Sequence, residues 1–139
     1  MADIVVTAAK VGLVDPQKAV TFNGIAAAAI TKGQAVYMDT SGTLGVADAN
    51  ASGKQQARGI ALNAAGAGQA VTCVKEGAVY GYTLTSQAYG APVYLSDTAG
   101  ALADDVGTLT VPVGIVQPMS DKDKTKVLWV ECRWGADWS

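Results

Sequence analysis

Apolar and polar residues come in short bursts along this chain, separated by Gly, Asn, Asp or Ser. Runs rich in Val, Ile, Thr and Tyr between such breakers read as strands joined by turns. Strands are predicted at residues 3–8, 18–22, 35–38, 44–47, 57–62, 70–75, 78–83, 92–95, 111–117 and 126–133. Strand starts roughly 8–15 residues apart suit a small sandwich or barrel. The clearest period of two lies in the last run. Val127, Trp129 and Glu131 share one face there, and Leu128, Val130 and Cys132 share the other, so at least one side is buried. Residues 25–30, Ile-Ala-Ala-Ala-Ala-Ile, compete with this picture because Ala has the highest helix propensity. A helix that short is marginal in water, and Asn23-Gly24 and Lys32-Gly33 bracket it as turn and stop. Extended structure and a single helical turn both stay open, with extended structure ahead.

An internal repeat runs through these strands. Gly33-Gln34-Ala35-Val36-Tyr37-Met38 is echoed 57 positions later by Gly90-Ala91-Pro92-Val93-Tyr94-Leu95. A polar turn and a Gly-x-Leu follow each copy, at Gly42-Thr43-Leu44 and Gly100-Ala101-Leu102. Arg58-Gly59-Ile60-Ala61 matches Val113-Gly114-Ile115-Val116 at a spacing of 55, and residues 71–74 match 127–130 at 56. The repeat thus covers about residues 30–75 and 87–132. Its unit is a hairpin with returning strands, in which Gly opens the first strand where a bulky residue would block the turn. Tyr37 and Tyr94 are expected to pack at the repeat core. The predicted fold is all-β: a small barrel or sandwich built from two similar hairpin units, with an extended N-terminal arm over residues 1–17 and one β domain over 18–139.

Composition narrows the function. The 139 residues include 10 Lys plus Arg, 12 Asp plus Glu and no His, for a net charge of −2. A chain without His runs no His-based triad and no imidazole shuttle. The acidic balance argues against nucleic acid as a partner, since binding phosphates needs clustered Lys and Arg. No apolar run approaches the ~20 residues that span a bilayer, and the N-terminus lacks the basic region of a signal peptide. Two Cys are too few for a disulfide scaffold, so Cys73 and Cys132 read as reduced core thiols, close to each other if their strands are repeat-related. No cofactor, metal site or catalytic residue is predicted.

Several motifs have bland readings that prevail. Asp104-Asp105 sits in loop-like sequence and reads as a solvated turn. Asp121-Lys122-Asp123-Lys124 lacks the Gly and Glu of a calcium loop and reads as a charged hairpin tip. Gly66-Ala67-Gly68 has no third Gly and no following helix, which leaves a hairpin loop. Asn50-Ala51-Ser52 is a sequon in form, but without a secretory context it is a polar loop.

Ile30-Thr31-Lys32-Gly33-Gln34-Ala35-Val36-Tyr37, then Ala57-Arg58-Gly59-Ile60-Ala61-Leu62, then Ala67-Gly68-Gln69-Ala70-Val71-Thr72, resembles a virion family. The order is an opening Gly, a Val-Tyr-aliphatic strand, a polar turn, a Gly-Ile return and a Gly-Gln-x-Val-Thr strand. It is similar to the capsid decoration (cement) proteins of tailed bacteriophages, among them a family formerly defined only as a domain of unknown function. The resemblance covers roughly residues 20–132. It implies an all-β body, often a homotrimer, made in the host cytoplasm and seated on the outer capsid surface. Projecting arms there would reach the major capsid protein, with no catalysis. The alternative is a receptor- or glycan-binding module of a phage fibre.

Two places are candidates for partner contact. The N-terminal run 3–14 is strand-prone and ends at Asp15-Pro16, a turn that would detach it from the body, with Ile4 and Val6 facing a partner. Pairing with the chain's own sheet is the competing outcome. The tail departs from the family pattern by adding Trp134 and Trp138, joined through Gly135. Trp buries large area at low entropic cost, so these rings either cap the chain's own body, anchor a subunit or coat contact, or form a sugar-stacking platform.

Overall fold

The computed structural model describes residues 2–50 and 53–135. Short strands dominate, because β-branched runs of four to seven residues end at turn residues before any helical period can develop. In chain order they are β1 (Gly12–Leu13), β2 (Val20–Ile25), β3 (Ala35–Met38), β4 (Leu44–Val46), β5 (Ala57–Ala61), β6 (Ala70–Tyr80), β7 (Pro92–Leu95), β8 (Leu102–Ala103), β9 (Pro112–Pro118) and β10 (Lys126–Glu131). Single 3-10 turns at Ala8–Lys10 and Pro16–Lys18 are the helical pieces among the described residues. The Ala-rich stretch after Ile25 is not helical: Ala26 bridges Leu44, Ala27 and Ala28 form a bend, and Ile30 bridges Ala65.

The strands form one curled antiparallel sheet, a half-barrel, in the order β4-β3-β5-β6-β10-β9-β7-β8, with β1 and β2 also paired to β6. This order reads the same from both ends once the repeat is applied, since β3, β4 and β5 correspond to β7, β8 and β9. The correspondence reaches single residues. Val36 pairs Gly59 and Val93 pairs Gly114, and in each hairpin the register slips at the next residue, Tyr37 or Tyr94. Gly59 and Gly114 play the same part. A Cβ at Gly59 would stand 2.6 Å from the Val74 carbonyl oxygen, and one at Gly114 would collide with that of Trp129. Gly33 and Gly90, which open the hairpins, both have positive φ (91° and 79°), a backbone region open to Gly at little cost.

Three features differ from the sequence reading. Residues 70–75 and 78–83 are not separate strands, because Glu76-Gly77 continues β6 rather than turning it. Gly77, at φ 151°, marks where β6 changes partners: its first part lies along β2 and β5, its last part along β1 and β10. The offset of the last strand is 55, not 56, since Ile60 pairs Val74 while Ile115 pairs Trp129. One residue of slip exchanges faces in a strand, so Cys73 corresponds to buried Leu128. The repeat also begins earlier than its Val-Tyr hairpins. Phe22 opposite Cys73 corresponds to Val79 opposite Leu128, which makes β2 the counterpart of the end of β6. The chain is therefore two five-stranded units, with β6 serving as last strand of one and first strand of the other.

Two cores result. Ala26, Ile30, Val36, Leu44, Ala61, Val71 and Cys73 fill the first unit, with Phe22 against them. Their counterparts Val93, Leu102, Val116 and Leu128 lie in a larger core shared by both units. Tyr37 packs against that larger core, and Tyr94 is half-buried in β7. Ala35, Ala47, Ile60 and Val74 of the first unit also enter the shared core. The halves are stitched by main-chain bonds from Ala35 to Gly100 (3.0 Å), Gly100 to Ala47 (2.7 Å) and Ala49 to Ser96 (2.9 Å).

Candidate functional site

The N-terminal segment does not project. The Ile4 amide donates to the Leu102 carbonyl (2.8 Å), the Thr7 amide to Gly81 (2.8 Å) and the Val14 amide to Ala78 (3.0 Å). The Asp3 carboxylate accepts from the Ser96 hydroxyl, and Asp104 accepts from the Ala2 amide. Ile4 is 7% exposed and belongs to the shared core, so it faces its own body and not a partner. Val6 bridges Tyr82 and leans over Gly33, which leaves it 38% exposed, whereas Val5 is 65% exposed. The reason is that β8 and the end of β6 would otherwise present unpaired backbone edges, and the chain's own first residues are nearest. Asp15-Pro16 starts a 3-10 turn, with the Asp15 carboxylate accepting from the Gln17 amide, but β1 just before it stays bonded to β6.

At the tail, Trp134 rests on its own body. Its indole N–H donates to the Arg58 carbonyl (2.8 Å), and the Arg58 guanidinium donates to the Trp134 carbonyl (2.7 Å). The ring meets Phe22 edge-on at 5.1 Å, with the Lys75 ammonium 5.6 Å from its centroid. It remains 41% exposed, so one side is free for contact. Trp138 lies outside the described residues.

The third Trp, which its sequence context does not single out, is also at the surface. Trp129 sits on the outer face of β10 in a groove of about 410 Å³ with Val14, Asp15, Lys18, Gln117 and Met119. Its alternation with Leu128 and Val130 is the available signal, since those two are fully buried while Trp129 between them is half-buried. A smaller hollow of about 280 Å³ on the second unit is lined by Pro92, Pro112, Ile115, Glu131 and Arg133.

Among the described residues, the hydroxyl–carboxylate pairs Thr43–Asp39, Thr108–Asp97 and Thr125–Asp121 tie local turns, and Ser96–Asp3 ties the N-terminal segment to the body. Cys73 and Cys132 are free and buried. Burial pushes both thiols up to about 12; at Cys132, Cys73 adds to that push while Lys75 and Arg58 oppose it. Protonated, water-shielded thiols are poor nucleophiles. Burial also raises Tyr82, whose hydroxyl donates to the Gly33 carbonyl (2.6 Å). Asp39 and Asp121 are held below the usual carboxylate range by hydrogen bonds from the hydroxyl, then the amide, of Thr43 and Thr125. Each closes a hairpin tip, which is the work of the Asp121-to-Lys124 run. Asp104 and Asp105 take backbone amides in an exposed turn. Among the described residues, no group of three or more Cys, Asp or Glu is placed to hold a metal ion. No helix there is long and apolar enough to cross a membrane. Compared with known proteins, the chain matches no family model, no curated protein and no solved structure.

Proposed function

We propose that this chain is a capsid decoration protein of a tailed bacteriophage, which binds the outer surface of the shell through the major capsid protein and holds it together by adhesion, without catalysis. The observation that carries the reading is the order of motifs from Gly33 to Thr72, which forms one hairpin-and-return unit and is used twice. A duplicated, tightly packed body suits a rigid clamp. Asp39, Asp97 and Asp121 serve turns, and the exposed apolar side chains include Val5, Met38 (46% exposed), Ile115 (42% exposed) and Trp134. The family resemblance implies three copies acting together. Each contact made by a tethered copy raises the effective concentration for the next, so modest individual interfaces suffice.

The Trp129 groove favours a second reading, glycan binding by a fibre module, because an aromatic face beside Asp15, Lys18 and Gln117 is the arrangement sugars stack on and bond to. One experiment separates the two. Purified protein is mixed with expanded shells and with unexpanded procapsids of its own phage and sedimented, and in parallel applied to a glycan array. Saturable co-sedimentation with expanded shells alone is the expected result. Glycan binding without shell binding would replace this reading with the second.

A further inference from the structure

The two units differ in what covers one face of their sheets. Ala35, Ile60 and Val74 lie side by side across β3, β5 and β6. Pro92, Ile115 and Trp129 lie side by side across β7, β9 and β10 in the same register. Residues paired across antiparallel strands share a face of the sheet. Each trio is therefore an apolar line on the face opposite Val36 in the first unit and Val93 in the second.

The first line is completely buried. Ala35, Ile60 and Val74 belong to the same core as Val93, Leu102, Val116 and Leu128, so the outer line of the first sheet helps to fill the inside of the second. The second line carries similar chemistry into water. Pro92 is exposed, Ile115 is 42% exposed where its counterpart Ile60 is fully buried, and Trp129 is half-buried. The hollow of about 280 Å³ runs along Pro92 and Ile115, and the groove of about 410 Å³ runs along Trp129. Glu131 and Arg133 stand in the wall of the first, Asp15 and Lys18 in that of the second, two charges of each sign. An apolar centre with a Trp, a polar rim and no net charge is the make-up of a protein contact. A phosphate-bearing partner would call for an excess of cations.

We propose that the Pro92–Ile115–Trp129 line is the face that seats on the shell, against an aliphatic patch of the major capsid protein. This rests on the capsid reading and adds where the contact lies. The chemistry of the occupant follows from the duplication, because the counterpart line shares its core with aliphatic side chains of β-strands. A second copy is the poorer fit: the inner face that receives such a line in this chain is already filled by its own first unit.

The test is co-sedimentation with expanded shells of the full chain, Ile115→Lys, Trp129→Ala and, as a control, Val106→Lys in the exposed loop 104–109. Circular dichroism and thermal unfolding confirm that the variants fold; should Trp129→Ala fail to fold, Ile115→Lys alone decides. The expected result is a dissociation constant for shells that rises at least about tenfold in both line variants and less than about twofold in the control. Line variants that bind as tightly as the unaltered chain overturn the proposal and leave the capsid reading standing. Variants that keep shell binding but change the mass at sedimentation equilibrium assign the face to a second copy and overturn it too. An unaltered chain that binds no shells contradicts the capsid reading and this inference together.

Discussion

Ile4 and Val5 are neighbours with the same β-branched chemistry and opposite surroundings, one inside the shared core and the other mostly in water. Period-two alternation puts one of them outward, and sequence alone does not say which. The bonds from Ile4 to Leu102 and from Thr83 to Val5 fix the choice. Truncating Ile4 removes methyl groups from a filled site, so Ile4→Ala should cost about 2 kcal/mol in urea unfolding. Val5→Ala, at a surface position, should stay within about 0.5 kcal/mol. Equal effects would mean that the segment is not seated as described. Trp134 teaches the same lesson from the other end. Its ring was legible as an anchor, but its partners Arg58, Phe22 and Lys75 come from strands that only the fold brings together.

Among the elements, the return strands β5 and β9 carry the strongest local demand. Gly59 and Gly114 let the next strand approach so closely that a methyl group would meet its carbonyl oxygen. Gly114→Ala and Gly59→Ala should each destabilise by about 1–3 kcal/mol through overpacking, whereas Gly12, with open space around its Cα, should accept Ala with little change in melting temperature. Thermal unfolding of the three variants checks this, and a neutral Gly114→Ala would contradict the repeat register. These glycines, the Val-Tyr hairpins and the offsets of 57 and 55 were legible because the unit is used twice and tight approaches leave Gly in both copies. The continuity of β6 was not. Glu76-Gly77 has turn chemistry, and the pairing of Val20 and β10 with it, with Ala19 packed against Gly77, holds it extended. β1 and β8 are two residues each, too short for any period to show. The offset of 56 failed because Val71–Val74 and Val127–Val130 are alike in composition, and only the partners Ile60 and Ile115 distinguish the registers.

As a whole, the molecule joins two five-stranded units through a common strand and a common core, with the chain's first residues spent on capping edges. Among its described residues no group of three or more Cys, Asp or Glu is placed to hold a metal ion. On the proposal of capsid decoration, what the body offers is surface held in fixed relation, which suits a clamp on a lattice. The groove at Trp129 and the open side of Trp134 lie on that surface, and a coat contact would bury them without altering the core. A clamp acts by adding contacts that exist only in the intact shell, so its effect is to raise the temperature at which the shell ruptures. The most direct measurement is therefore the rupture temperature of expanded, undecorated shells, followed by release of their DNA, with increasing amounts of this protein. The account predicts a saturable rise of several degrees that reaches its plateau when the bound copies do. Shells that rupture at the same temperature with the protein fully bound, or that bind none of it, would contradict it.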